Sequence, residues 1–429
     1  MEIDARRLKS LLAHAKRVVD SKSTMPALRC VRLAVAAGLL RVDATDLVSW
    51  LTLTAPVEGE LVPVLVDLKQ IALVLDAKAK RTSSSTVEIT VEWKPGPAPS
   101  SCKTPHPEKS NLFCDERPGH GGKHSGYESC VGRTEWDGPS VELPKAPDEP
   151  VLHIAVGARK FTLAATRADG FPITPTVGVE RQIIKYASDP LCNALTFVLP
   201  AVGLDETRRH LCGLWFTGSD VFALDGHRLH SVGGFPKIKK APVFLRARTA
   251  NALHGLLADV EGEAELHVHE EKAPSKGARN GAMWWHLALA DGARVELHSA
   301  WKDIAPPPVE QIVPNAKYAT VRAEVQRAPL SEAFALAGKM SARGVTRVCV
   351  NGALTVGATS DDGGEVIEEV PAKITGDLET GVCARYVVEA LAGLSERVVL
   401  TSEGDPLAPL RINGADDDRR FAVVMPMRL

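Results

Sequence analysis

The sequence predicts an α+β chain in which one helix-plus-strands module is used six times. Three observations predict it. Apolar residues at helical spacing give way to alternating strands in three places. RLKSLLAHAKRVV precedes LLRVDATDLVSWL, DPLCNALTFVLPAV precedes LWFTGSDVFALDGHRLHSV, and PLSEAFALAGKMSA precedes VCVNGALTVGATSDDGGEVIEEV. Each of these segments then repeats internally: a second helix (VDLKQIALVLDA, RARTANALHGLLADV, ARYVVEALAGL) leads into further alternating strands. Finally, the strand motifs align at Asp46, Asp225 and Ser360, separated by 179 and 135 residues. The excess of 44 residues matches a stretch at about 94–138 that is rich in Pro, Gly, Ser, Cys and His and lacks periodicity. Without it the three units have similar length. The expected domains are 1–177, carrying that insert, then 178–317 and 318–429. One helix and a few strands cannot bury their apolar faces alone; paired modules can, with sheets outside and helices packed on one side.

The elements follow in order. The first helix starts acidic, at MEIDARR, without the charged-then-apolar layout of a secretory signal. Asp189–Pro190 places Pro in the first turn of the helix that opens the second domain. No apolar run approaches the roughly 18 residues a bilayer span needs, so no membrane role is expected. Of eight Cys, Cys30, Cys192, Cys212, Cys349 and Cys383 sit alone in apolar or strand-like contexts, as small thiols of a reducing cytosol would. A cytoplasmic location is therefore expected. Lys plus Arg number 51 and Asp plus Glu 53, a net charge of −2. That balance excludes a protein gripping many phosphates through a general basic excess; positive charge would have to gather on one face.

The chain ends FAVVMPMRL, where a frayed terminus would be small and polar. Three domains of paired modules, DGHRL in the middle domain and this final VVMPMRL together resemble the bacterial DNA polymerase III β subunit, the sliding-clamp family. KSTMPAL after the first helix and RRHLCGLWF before ALDGHRL fit the same pattern. The resemblance covers nearly the whole chain apart from the insert. It implies a head-to-tail homodimer, a ring with helices lining the hole and sheets on the rim, around double-stranded DNA held without sequence reading. It implies no catalysis and no required cofactor. Polymerase, clamp loader and repair proteins would be its partners, docking through short peptide motifs.

In that family the C-terminal segment and the GHRL turn form one apolar groove. Carried onto this chain, the groove comprises Leu211, Gly226, His227, Arg228, Leu229, Pro307, Gln311, Ile312 and the tail Val424, Met425, Pro426, Met427, Arg428 and Leu429. Methionine is flexible and polarisable, which suits a surface accepting several peptides. Leu211 and Leu229 would be its floor, and His227 and Arg228 its rim. Leu224, Gln311 and the PPPV segment depart from the family pattern, which leaves the peptide preference open and allows a secondary clamp. Taken without the tail, DGHRL reads as a Gly turn with a capped His. Residues Phe421 to Val424 should alternate in and out as a final strand.

For DNA, the resemblance points to loop residues Lys22, Arg208 and Arg209. Basic residues on or beside the helices add Arg6, Arg7, Lys9, Lys16, Arg17, Lys69, Lys78, Arg246, Arg248, Lys339, Arg343 and Arg385, each of which could equally decorate a solvated helix face. In the insert, Cys114, His120 and His124 with Cys102, or else Cys130, as a fourth ligand suit a tetrahedral structural zinc site; a polar loop with incidental thiols is the alternative. His267 and His269 in HVHEE read as solvated. Two rival functions are a clamp-like paralogue that binds partners without encircling DNA, and a zinc-dependent hydrolase using Glu108, Glu116 or Glu128 as base. The hydrolase lacks a placed base.

Overall fold

A computed structural model describes residues 1–76, 86–94, 123–128, 132–137, 148–174, 179–239, 242–271, 279–314, 318–341 and 344–429. The chain divides into two compact units. The first comprises Met1–Lys9, Arg29–Arg41 and Pro56–Phe171, the second Ser10–Leu28, Val42–Ala55 and Pro172–Leu429. Seven α-helices are described: α1 (Ala5–Ala15), α2 (Pro26–Arg29), α3 (Leu68–Asp76), α4 (Ser188–Val198), α5 (Ala247–Leu257), α6 (Arg327–Met340) and α7 (Ala384–Ala392). Among the described residues no helix is long and apolar enough to cross a membrane.

In the first unit an antiparallel sheet runs in the order Glu2–Asp4, Thr86–Lys94, Glu149–Val156, Arg159–Arg167, Leu61–Asp67, Cys30–Ala36. Strand Cys30–Ala36 turns Val31, Leu33 and Val35 inward, the period of two that its sequence carries. Helix α3 contributes Leu68, Ile71, Val74 and Leu75 to the core and leaves Leu73 outward. The N-terminal ammonium donates to the Ile89 carbonyl at 2.8 Å, so Met1 is buried with the sheet.

The second unit contains three strand arrays. One runs Ser49–Pro56, Arg294–Ile304, Arg279–Ala288, Glu263–Glu271, Val179–Ala187. Another begins Val243–Arg246, Gly213–Thr217, Asp220–Leu224, Arg228–Val232 and continues through Asp417–Val424 into Leu410–Gly414, Arg397–Ser402, Val321–Gln326 and Ala372–Thr375. The last is Glu365–Val370, Ala353–Thr359, Val345–Asn351, Leu378–Cys383. Segments far apart in sequence are thus joined by sheet: Ser49–Pro56 pairs with Arg294–Ile304, and Arg228–Val232 pairs with Asp417–Val424. Helices α4 and α5 pack together, as do α6 and α7. The aromatic core of the middle segment is Tyr186, Phe216 and Trp285, with ring centroids 5.7–6.1 Å apart. The five solitary cysteines are half-buried free thiols.

The alignment of Asp46, Asp225 and Ser360 has a structural counterpart. Each begins a tight turn and caps it with its own side chain. Asp46 Oδ1 accepts from the Val48 and Ser49 amides at 3.0 and 2.6 Å. Asp225 Oδ1 accepts from His227 and Arg228 at 2.9 and 3.0 Å. The Ser360 hydroxyl accepts from the Gly364 amide at 3.0 Å. Each turn needs one left-handed residue: Leu47 (φ 69°), Gly226 (φ 94°) and Gly363 (φ 79°). Leucine carries a Cβ penalty of roughly 1–2 kcal/mol there. Arg248 closes over the first of these turns, 2.8 Å from Asp46 Oδ2.

Candidate functional site

The tail decides where the site is. Val423 and Val424 are fully buried because Asp417–Val424 is hydrogen-bonded to strands on both sides. Ala422, Val423 and Val424 are all buried, so the in-and-out alternation expected at the terminus is lost where this strand becomes central. Beyond Val424 the chain leaves the sheet and is held by two backbone hydrogen bonds. Met425 N–H donates to the His227 carbonyl at 2.8 Å, and Met427 N–H donates to the Gly381 carbonyl at 2.7 Å. One clip comes from the DGHRL turn, the other from strand Leu378–Cys383. Met425 and Pro426 are half-buried; Met427, Arg428 and Leu429 are exposed. The apolar tail is therefore anchored but uncovered.

Gly381 permits that path. A Cβ at this position would stand 2.6 Å from the Met427 carbonyl oxygen and 2.9 Å from Val345 Cγ1. Gly381→Val is expected to free the tail and raise the rate of carboxypeptidase trimming from Leu429 about tenfold, the loss of a hydrogen bond and its packing. An unchanged trimming rate in a folded variant would show that the Met427 clip does not hold the tail.

Beside the DGHRL turn lies a cleft of about 630 Å³. Leu199, Pro200, Val202, Leu204, Leu211 and Tyr386 supply its apolar lining; Asp205, Arg208, His227, Arg228, Arg385 and Glu389 supply its charge and polarity. The turn Glu206–Leu211 is capped by Asp205, whose carboxylate accepts from the Thr207 amide and hydroxyl at 3.0 and 2.6 Å. Those two bonds hold the Asp205 carboxyl below the usual range, with the Thr207 hydroxyl the larger contributor. Gly226 makes room for Arg208: a Cβ there would stand 2.9 Å from Arg208 Nη1.

Arg228 differs from its expected role. Its side chain is only 7% exposed and does not stand free at a rim. Nε donates to Asp225 Oδ2 at 3.1 Å, Nη1 to Glu389 and Nη2 to the Pro200 carbonyl. The guanidinium also lies over the Tyr386 ring, 4.3 Å from its centroid, and Arg385 approaches the same ring at 5.2 Å. Arg228 thus ties the DGHRL turn to the 3₁₀ turn Leu199–Ala201 that follows α4 and to α7. Tyr386 and Glu389 were not singled out by sequence reasoning. They lie in the recognised helix motif ARYVVEALAGL, but nothing local marks them as facing a turn some 160 residues earlier.

The other candidates distribute as follows. Leu229 is buried in its strand and does not line the cleft. Pro307, Gln311 and Ile312 lie at the short 3₁₀ turn Val309–Gln311 and do not line the cleft. Arg428 and Leu429 border a second hollow of about 530 Å³ with Arg347 and Ile367. Lys22, Arg208, Arg209 and Arg6 are exposed; Arg7 and Arg246 are half-buried. Lys9 pairs with Asp76 at 2.6 Å, and Arg248 is committed to Asp46 and the Val18 and Val19 carbonyls. Lys78, Arg343, Cys102, Cys114, His120 and Cys130 lie outside the described residues, and of His124 only its place in strand Lys123–Glu128 is described. His267 is not solvated: its side chain is 18% exposed and its Nδ1 lies 2.7 Å from Glu180.

Residues 310–428, which include the tail and its Gly381 clip, match the family described as DNA polymerase III beta subunit, C-terminal domain. A Beta sliding clamp of Caulobacter vibrioides is 24% identical over 321 residues, covering 71% of this chain and 81% of that protein. Residues 310–428 are thus similar to the C-terminal domain of DNA polymerase III β subunits, and most of the chain is similar to a Beta sliding clamp. A Beta sliding clamp of Pseudomonas aeruginosa is 25% identical over 293 residues, covering 66% of this chain and 75% of its own. Among solved structures, the Pseudomonas aeruginosa DNA polymerase III subunit beta aligns over 100% of both chains, with a TM-score of 0.74 and 21% identity. The Thermotoga maritima β subunit aligns over 100% of this chain and 99% of its own, with a TM-score of 0.73 and 19% identity. These structures share the fold of the chain.

Proposed function

We propose that this chain is a non-catalytic sliding clamp. Two copies join head to tail into a ring around duplex DNA, and the ring tethers a DNA polymerase for processive synthesis. The domains 1–177, 178–317 and 318–429 would each supply a pair of modules, six pairs to the closed ring, with helices inward and sheets on the rim. Topology rather than tight phosphate binding then retains the DNA, which agrees with a net charge of −2. Exposed Lys22, Arg208 and Arg209 are the residues assigned to the duplex. The cleft beside Tyr386 and His227, with the anchored tail at its side, is assigned to short apolar peptide motifs of polymerase, clamp loader and repair proteins.

The observation that carries this reading is the tail: a β-subunit terminus held by two backbone bonds and left uncovered next to an apolar cleft. The test is retention on DNA. Protein loaded on a nicked circle should co-elute with it in high salt at twice the chain mass, and cutting the circle once should release it. A monomer whose binding ignores the cut would instead indicate a partner-binding paralogue that does not encircle DNA.

A further inference from the structure

The outward face of one sheet in the second unit carries a line of rings that the cleft does not use. The registers set Trp50 opposite His298, His298 opposite Trp284, Trp284 opposite His267, and His267 opposite Ile183. Five strands thus place five side chains in one row on one face. The Trp50 and Trp284 rings stand 5.3 and 4.4 Å from His298, centroid to centroid. His298 is 1% exposed, and neither of its ring nitrogens, nor Trp50 Nε1, has a hydrogen-bond partner among the described residues. It acts as an apolar pillar between the two indoles. Trp50 and Trp284 remain half-exposed, and Ile183 is 51% exposed at the end of the row.

Carboxylates flank this strip. The next row on the same face holds Glu296, His286, Glu265 and Lys185, and Glu180 stands on the other side, paired to His267. Lys185 is consumed locally, 2.9 Å from Glu265 and 3.7 Å from Glu263. An indole face carries negative quadrupole density. Indole faces bordered by Glu180, Glu265 and Glu296 repel phosphate and attract cations, above all guanidinium.

We propose that this strip docks a Lys/Arg-rich segment of a partner protein, its cationic groups over Trp50 and Trp284 and its charge met by Glu180, Glu265 and Glu296. The surface is separate from the peptide cleft, shares no residue with it, and does not depend on the clamp reading.

The test titrates the full-length protein into a fluorescently labelled hexa-arginine peptide and reads anisotropy, with a hexa-glutamate peptide as control. Saturable binding of the arginine peptide alone is expected. Trp50→Leu and Trp284→Leu should each weaken it at least about fivefold, the loss of one cation–π contact. Glu296→Lys, at a half-exposed side chain that leaves the core intact, should weaken it at least about tenfold. Circular dichroism establishes that each variant is folded. Affinity unchanged in a folded Trp50→Leu/Trp284→Leu protein would reduce the effect to general charge attraction and overturn the proposal. So would unchanged affinity in Glu296→Lys, or no saturable binding at all. A change in solution mass on substituting the tryptophans would assign the face to a second copy of this chain and also overturn it.

Discussion

Replacing Glu389 by Ala is expected to lower the unfolding free energy by about 2 kcal/mol and to weaken binding of an apolar peptide to the cleft at least about tenfold. The reason lies in what Arg228 has left. Its guanidinium is 7% exposed, and the Glu389 carboxylate neutralises one end of it. Removing one member of a buried pair typically costs about 3–5 kcal/mol, because the partner charge stays buried without compensation. Here the loss falls below that range, since Glu389 is itself 33% exposed and Arg228 keeps Asp225 and the Pro200 carbonyl. The affinity effect follows from geometry. Arg228 joins the DGHRL turn to Pro200, in the 3₁₀ turn that follows α4, and to Tyr386 and Glu389 of α7, which together line the same cleft. Glu389→Gln should recover part of both losses, because an amide oxygen can still accept from Nη1. Urea denaturation and calorimetry with a short apolar peptide measure the two quantities. In the Arg228→Ala/Glu389→Ala double variant, strict additivity would show that the pair is not coupled. Peptide affinity unchanged in Glu389→Ala would remove Arg228 from the positioning of the cleft.

The three capped turns were legible because their turn chemistry repeats. Asp46, Asp225 and Ser360 align in sequence for the reason that they cap in structure: a short side-chain oxygen two to four residues before the amides it receives. The apolar faces of α3 and strand Cys30–Ala36 likewise follow their patterns. Long-range partners were not legible. Nothing near Arg228 announces Glu389, Pro200 or Tyr386, because those contacts arise only when strands far apart in sequence pair. The tail shows both sides of this. Its apolar character suggested a landing surface, and its two clips depend on carbonyls of His227 and Gly381 that any residue type could offer. His267 and His269 looked solvated because they alternate along one strand, yet a sheet face can be filled by its own neighbours. The rings of His267 and His286 stand 4.4 Å apart.

Acidification between pH 6.5 and 4 is expected to remove most of the stability that two buried histidines permit at neutral pH. His230 is fully buried on strand Arg228–Val232, its ring stacked on Phe197 at 4.8 Å and its Nδ1 2.7 Å from the Phe197 carbonyl. Burial pushes its pKa down to about 4. His298, sealed between Trp50 and Trp284, is pushed to about 4 for the same reason. In the unfolded chain both return to about 6.5. Between these values the unfolded state holds more protons, so stability falls as pH falls. Below pH 4 the folded state also protonates and the loss levels off. Each histidine removes about 3 kcal/mol over the window, at about 1.4 kcal/mol per pH unit. A domain stability of about 5–15 kcal/mol cannot absorb both losses easily, so the second unit should unfold first on acid titration. The Phe197 carbonyl cannot rescue His230, since it already accepts one ring proton and the buried Nε2 has no partner. His298→Phe keeps an aromatic ring between the two indoles and removes one proton from the linkage. Its unfolding free energy, followed by urea denaturation from pH 7 to 4, should fall by about 3 kcal/mol less than that of the parent. An acid slope identical in His298→Phe and the parent would mean that His298 is already protonated in the fold and that the strip between the tryptophans is open to water.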